Sequence, residues 1–124
     1  MIFIKTTSYA IAFAIIAAFV ISARAQAMDD PKNGKVIFRQ CSICHSMNLN
    51  GPSLAGVFGR KAGTAIGFNY SRAMRESGIT WNENNLEQYI ENPQKMFPGS
   101  FKTFGGIKDI ESRNSLIAYI KSLK

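Results

Sequence analysis

Histidine occurs once in these 124 residues, tryptophan once, cysteine twice and proline four times. One imidazole rules out any metal centre built on two histidines. Structural zinc needs about four Cys/His ligands in paired clusters, and the three candidates in this chain do not supply them. Acidic residues are scarce too: eight Asp and Glu stand against fifteen Lys and Arg, a formal charge of +7. The mature chain's cations are scattered from Lys32 to Lys124 without a dense tract, which argues against a nucleic-acid partner. Few stretches alternate apolar and polar residues as strands do. Internal repeats, low-complexity tracts and an interdomain linker are all missing. A single small helical domain remains.

One apolar run is present, and it is at the start. Lys5 supplies a short positive region, Tyr9 to Ile21 an uncharged apolar stretch, and Ala23-Arg24-Ala25 a small-residue cleavage signal. This pattern predicts a signal peptide over residues 1–25 and a mature domain over 26–124. The alternative is an uncleaved membrane anchor. The charge-free run from Thr6 to Ala23 touches the lower edge of the roughly 17–25 residues a spanning helix needs. Thr6, Thr7, Ser8 and Ser22 shorten its apolar part and favour cleavage. Either way the rest of the chain is expected to be exported to the periplasm, free or tethered to its membrane. The exported domain stays basic, which suits docking on acidic protein faces or anionic membrane surfaces.

The whole inventory of cysteine and histidine falls in one pentapeptide, Cys41-Ser42-Ile43-Cys44-His45. C-x-x-C-H is the attachment pattern of a c-type haem. Two thiols three residues apart can add to the two vinyl groups of one porphyrin, and the next imidazole falls beneath the iron as proximal ligand. A thioredoxin-like C-x-x-C would need a surrounding βαβ pattern, and a plain disulfide would leave His45 unexplained. A buried haem would also supply the apolar body that so small a domain lacks.

Helices account for most of the remainder. Asp30-Pro31 reads as an N-cap followed by proline at the first helical position, opening a helix that delivers Cys41 and Cys44. From His45 to Gly67 the punctuation by Asn, Gly and Pro predicts loop. A short helix is expected from Ser71 to Glu76, closed by Gly78. Asn82 caps another, with Leu86, Tyr89 and Ile90 inward and Pro93 as its stop. The last runs from about Glu111 to Leu123, with Leu116, Ile117, Tyr119, Ile120 and Leu123 at helical spacing. The fold class is all-α, four to five helices with long loops round one cofactor.

From Gly34 to Leu123 the chain resembles the class I c-type cytochromes of mitochondria and their close bacterial relatives. The resemblance rests on Gly34, Phe38, Cys41, Cys44 and His45; on GPSLAGVFGRKAG (Gly51 to Gly63) and GFNYSRAM (Gly67 to Met74); and on SGITW (Ser77 to Trp81). It continues through YIENPQK (Tyr89 to Lys95), PGS (Pro98 to Ser100), FGGIK (Phe104 to Lys108) and ESRNSLIAYI (Glu111 to Ile120). It implies the cytochrome c fold, with Gly34 allowing the last helix close and Phe38 packed on Tyr119. It implies that the Pro52 carbonyl accepts a hydrogen bond from the His45 ring, orienting it. By the same resemblance Arg60, Tyr70 and Trp81 stand as donors to the haem propionates and Tyr89 on the distal side.

One landmark departs. The family's axial methionine stands in a P-G-T-K-M-x-F loop. Here the loop reads Pro98-Gly99-Ser100-Phe101-Lys102-Thr103-Phe104, so the ligand position holds Lys102. Four occupants of the sixth iron position compete: Lys102 as a neutral amine, Met96, Met74, or none. The resemblance implies a one-electron carrier and not an enzyme. Its partners are then acidic faces on a reductase, oxidase or photosynthetic complex, reached as a monomer through cations such as Lys35, Arg39 and Lys95. The alternative is a haem enzyme or small-ligand binder, peroxidase-like or gas-binding, with an open or lysine-gated iron.

Overall fold

The computed structural model describes residues 30–45, 51–100 and 104–124. The leader and Lys102 lie outside the described residues. Five helices appear among those described: α1 (Pro31–His45), α2 (Arg72–Glu76), α3 (Glu83–Glu91), α4 (Pro93–Met96) and α5 (Ile110–Ser122). No strand occurs among them, only an isolated antiparallel bridge between Lys61 and Thr80. None of these helices is long and apolar enough to cross a membrane.

Each helix starts where a short polar side chain can satisfy its free N–H groups. Asp30 Oδ1 accepts from the Lys32 N–H at 2.9 Å, and Pro31 opens α1 at the one turn where a missing N–H costs nothing. Asn82 and Asn85 form a reciprocal capping box on α3. Ser71 caps α2 through the Met74 N–H, and Gly78, at φ +67°, takes the left-handed turn beyond its end. Pro93 does more than stop α3. Asn92 ends that helix and its side chain caps Lys95 N–H, so Pro93 becomes the first residue of α4. The last helix begins one residue earlier than the apolar spacing suggests, because Asp109 accepts from the Ser112 N–H at 2.8 Å.

The core lies between α5 and the other elements. Leu116, Ile117 and Ile120 of α5 are buried with Leu86 and Ile90 of α3 and with Val57, Met74, Trp81 and Phe97. Against α1 the approach is closer still. A Cβ built on Gly34 would lie 1.9 Å from the Ser115 carbonyl oxygen, so no other residue fits the crossing. Phe38, one turn on, meets the Tyr119 ring with centroids 5.2 Å apart, tilted by 59°.

Candidate functional site: a haem cavity

The inward face of α1 carries Cys41, Cys44 and His45 into the wall of a cavity of about 360 Å³. The two cysteines are one helical turn apart, so both thiols fall on one side of the helix. Neither is in a disulfide. Burial, and next the neighbouring Cys44, push the Cys41 thiol above its ordinary range, which keeps it protonated.

The His45 ring is oriented from below. Its Nδ1 lies 2.7 Å from the Pro52 carbonyl oxygen. With that carbonyl as acceptor, Nδ1 carries the proton and Nε2 keeps a lone pair for a metal. Gly51 makes the approach possible: a Cβ there would fall 2.8 Å from ring atoms Nδ1 and Cε1. Sequence reasoning found Pro52 but not this role of Gly51, whose only trace is the Gly-Pro pair itself.

The opposite and lateral walls come from distant segments. Backbone bonds tie the loop to the chain leading into α3: Gly59 N–H to the Trp81 carbonyl at 2.8 Å, Trp81 N–H to Arg60 at 3.0 Å, and Ala62 N–H to Ile79 at 2.8 Å. That ladder places Arg60 and Trp81 side by side at the cavity, where Tyr70 joins them. Arg60 donates to the Ser53 carbonyl at 2.8 Å, which holds its guanidinium over the loop. Tyr89 lines the cavity from α3 and belongs to a ring cluster, 5.3 Å from Trp81 and 5.7 Å from the buried Phe97. Burial raises both phenols above their ordinary pKa. For Tyr89 the Tyr70 phenol adds to the effect; for Tyr70 the Arg60 cation and the Ala65 N–H offset part of it. Both remain O–H donors at neutral pH.

Thus Cys41, Cys44, His45, Pro52, Arg60, Tyr70, Trp81 and Tyr89 all line one cavity. Met74 lines it too, buried in the middle of α2, whereas Met96 packs against the apolar core and is not among the lining residues. The arrangement fits an iron porphyrin. Two free thiols lie on one helix face, the adjacent imidazole is oriented through Nδ1, and the remaining walls are largely apolar with a few donors.

Known proteins agree with the geometry. The cytochrome c family model matches residues 31–124. A cytochrome c2 of Rhodomicrobium vannielii is 44% identical over 109 residues, covering 84% of this chain and 87% of that protein. The cytochrome c2 of Blastochloris viridis is 45% identical over 112 residues, covering 86% of each. Among solved structures, cytochrome cH from Methylobacterium extorquens superposes with a TM-score of 0.69 at 40% identity, covering 75% of this chain and 98% of that one. With the attachment residues and the imidazole's partner in one cavity, this chain belongs to the cytochrome c family and is a class I c-type cytochrome, an electron carrier with one covalently bound haem c.

Proposed function

We propose that this protein is an exported monohaem carrier that shuttles single electrons between membrane redox complexes from the periplasmic side. The observation that supports it best is the bond from His45 Nδ1 to the Pro52 carbonyl, in the same cavity wall as both cysteines. Haem c, when bound, supplies a one-electron ferric/ferrous couple. Cys41 and Cys44 would hold it through thioether bonds, and His45 would supply the imidazole ligand to its iron. Arg60, Tyr70 and Trp81 would donate to its propionates, and Tyr89 would line its other side. Buried carboxylates need such donors.

Lys102 is proposed as the sixth ligand. An amine coordinates only in its neutral form, and the charge of a bound metal favours loss of the proton. An amine is a harder donor than a thioether and favours ferric iron, which lowers the reduction potential relative to a methionine-ligated relative. A ferric electron paramagnetic resonance spectrum separates amine, thioether and vacant coordination. Lys102→Met is expected to raise the midpoint potential; an unchanged potential excludes lysine ligation.

Residues 1–25 act as the export signal, and the exported protein begins at Gln26. Mass spectrometry of the purified protein checks this, since a retained Met1 indicates a tethered carrier. Lys35, Arg39 and Lys95 are exposed and steer the protein onto acidic faces of a reductase, oxidase or photosynthetic complex. Turnover with the partner should therefore fall as ionic strength rises.

A further inference from the structure

The deepest cation of the described residues takes no part in the cavity lining. Arg113 of α5 has a side chain 6% exposed, and its Nε donates to Glu87 Oε1 of α3 at 2.5 Å. Its Nη1 donates to the Ile107 carbonyl at 2.9 Å and to the Lys108 carbonyl at 2.8 Å. One guanidinium thus joins α5, α3 and the segment leading into α5.

That segment is pinned a second time, to the end of α3. The Ile107 N–H donates to the Ile90 carbonyl at 2.8 Å, and Lys108 Nζ to the Glu91 carbonyl at 2.6 Å. Gly106, at φ +89°, lies so close that a Cβ would fall 2.2 Å from the Glu91 carbonyl oxygen. All three elements gripped by Arg113 form cavity wall. α3 contributes Tyr89 and Ile90, α5 contributes Leu116 and Ile120, and Phe104 lies two residues before the pinned Gly106. Neither Glu87 nor Arg113 is itself in that wall.

We infer that Glu87 and Arg113 are positioning residues for the haem cavity: their ion pair fixes the Phe104–Lys108 segment against α3 and so governs how tightly the distal wall closes. A buried guanidinium left without its carboxylate is strongly unfavourable. Without Glu87, the cation draws in water or shifts toward it. The carbonyls of Ile107 and Lys108 then lose a fixed donor, and the chain that follows Phe104 is held less firmly. The second pair between the same helices, Lys121 with Glu83, is more than half exposed on both sides, and Glu83 starts α3 whereas the 106–108 segment is pinned at its other end. It serves as the internal control.

The inference rests on the cavity holding haem c. The test is made on the ferric holoprotein, with imidazole as probe of the sixth iron position and the midpoint potential as second readout. Glu87→Gln is expected to speed imidazole binding by about tenfold, as a locally loosened wall would, and to displace the potential, with the haem absorption band and helicity retained. Glu83→Gln should leave both at wild-type values. Should Glu87→Gln fail to fold, the same readouts on Arg113→Lys decide, since it keeps the charge but not the fork to Ile107 and Lys108. A variant with lowered stability but wild-type imidazole kinetics and potential overturns the inference. A wild type that binds no haem would instead overturn the site assignment itself.

Discussion

α5 is held along two seams that work by different physics. Toward α1 it is held by shape: Gly34 against the Ser115 carbonyl, and Phe38 against Tyr119. Toward α3 the apolar contact is bordered by charge, with Arg113 on Glu87 and Lys121 on Glu83. The shape seam fixes the helix that carries the attachment cysteines. The charged seam fixes the opposite wall. A shape seam answers to a single methyl group and is indifferent to salt; a charged one answers to salt and burial.

The shape seam is most vulnerable at Gly34. Gly34→Ala puts a methyl within 1.9 Å of a backbone oxygen, where no flexible side chain can move aside. The helices must separate, at a cost of about 4 kcal/mol or more, beyond the usual range for overpacking. Against a total of roughly 5–15 kcal/mol for a domain of this kind, that threatens folding. Guanidinium unfolding of the holoprotein measures it, and a loss below about 1 kcal/mol would show that the crossing can relax.

The charged seam should divide by burial. Arg113→Met strands the Glu87 carboxylate and removes a donor from two carbonyls, and is expected to cost about 2–4 kcal/mol. Glu83→Gln removes a pair whose side chains are 58% and 60% exposed, and should cost under about 0.5 kcal/mol, vanishing at high salt. Equal losses in the two variants would erase the distinction between the buried and the exposed pair.

The two seams also differ in how far the sequence discloses them. Gly34 and Phe38 are one turn apart, and Tyr119 stands in a helically spaced apolar run, so the shape seam follows from periodicity together with the resemblance. The attachment motif is legible for a simpler reason: Cys41, Cys44 and His45 fall within one pentapeptide, and their chemistry is local. Arg113 and Glu87 are 26 residues apart. A pair spanning two helices leaves no local pattern, and each residue alone reads as a solvated charge. Gly51 was legible as a loop glycine and Gly106 only as part of the FGGIK stretch, and neither as a point of contact, because what they avoid belongs to other segments. α4 was hidden behind Pro93, since a proline after a helix signals a stop and only the Asn92 side chain shows that it is also a start. Lys102 is the reverse case. It stands out in the sequence as a departure from the family loop, and it lies outside the described residues.

The mildest test concerns how the helices flanking the charged seam begin. α3 starts on Asn82, which does not titrate, and α5 on Asp109, which does. The Ser112 hydroxyl and backbone N–H, and more weakly the Arg113 cation, hold the Asp109 carboxyl below its ordinary pKa. A pKa depressed on folding contributes stability that is complete above the unfolded value, near 3.9, and is lost as pH falls through the lower folded value. Asp109→Asn keeps a capping acceptor of similar quality, so the melting temperatures of variant and wild type should nearly coincide at neutral pH. Below about pH 4 the wild type alone should lose this cap, and the gap between the two curves should open in favour of the variant. Parallel curves from neutral pH into acid would mean that the start of α5 is secured by the backbone and not by the carboxylate, leaving the charged seam with no acid-sensitive end.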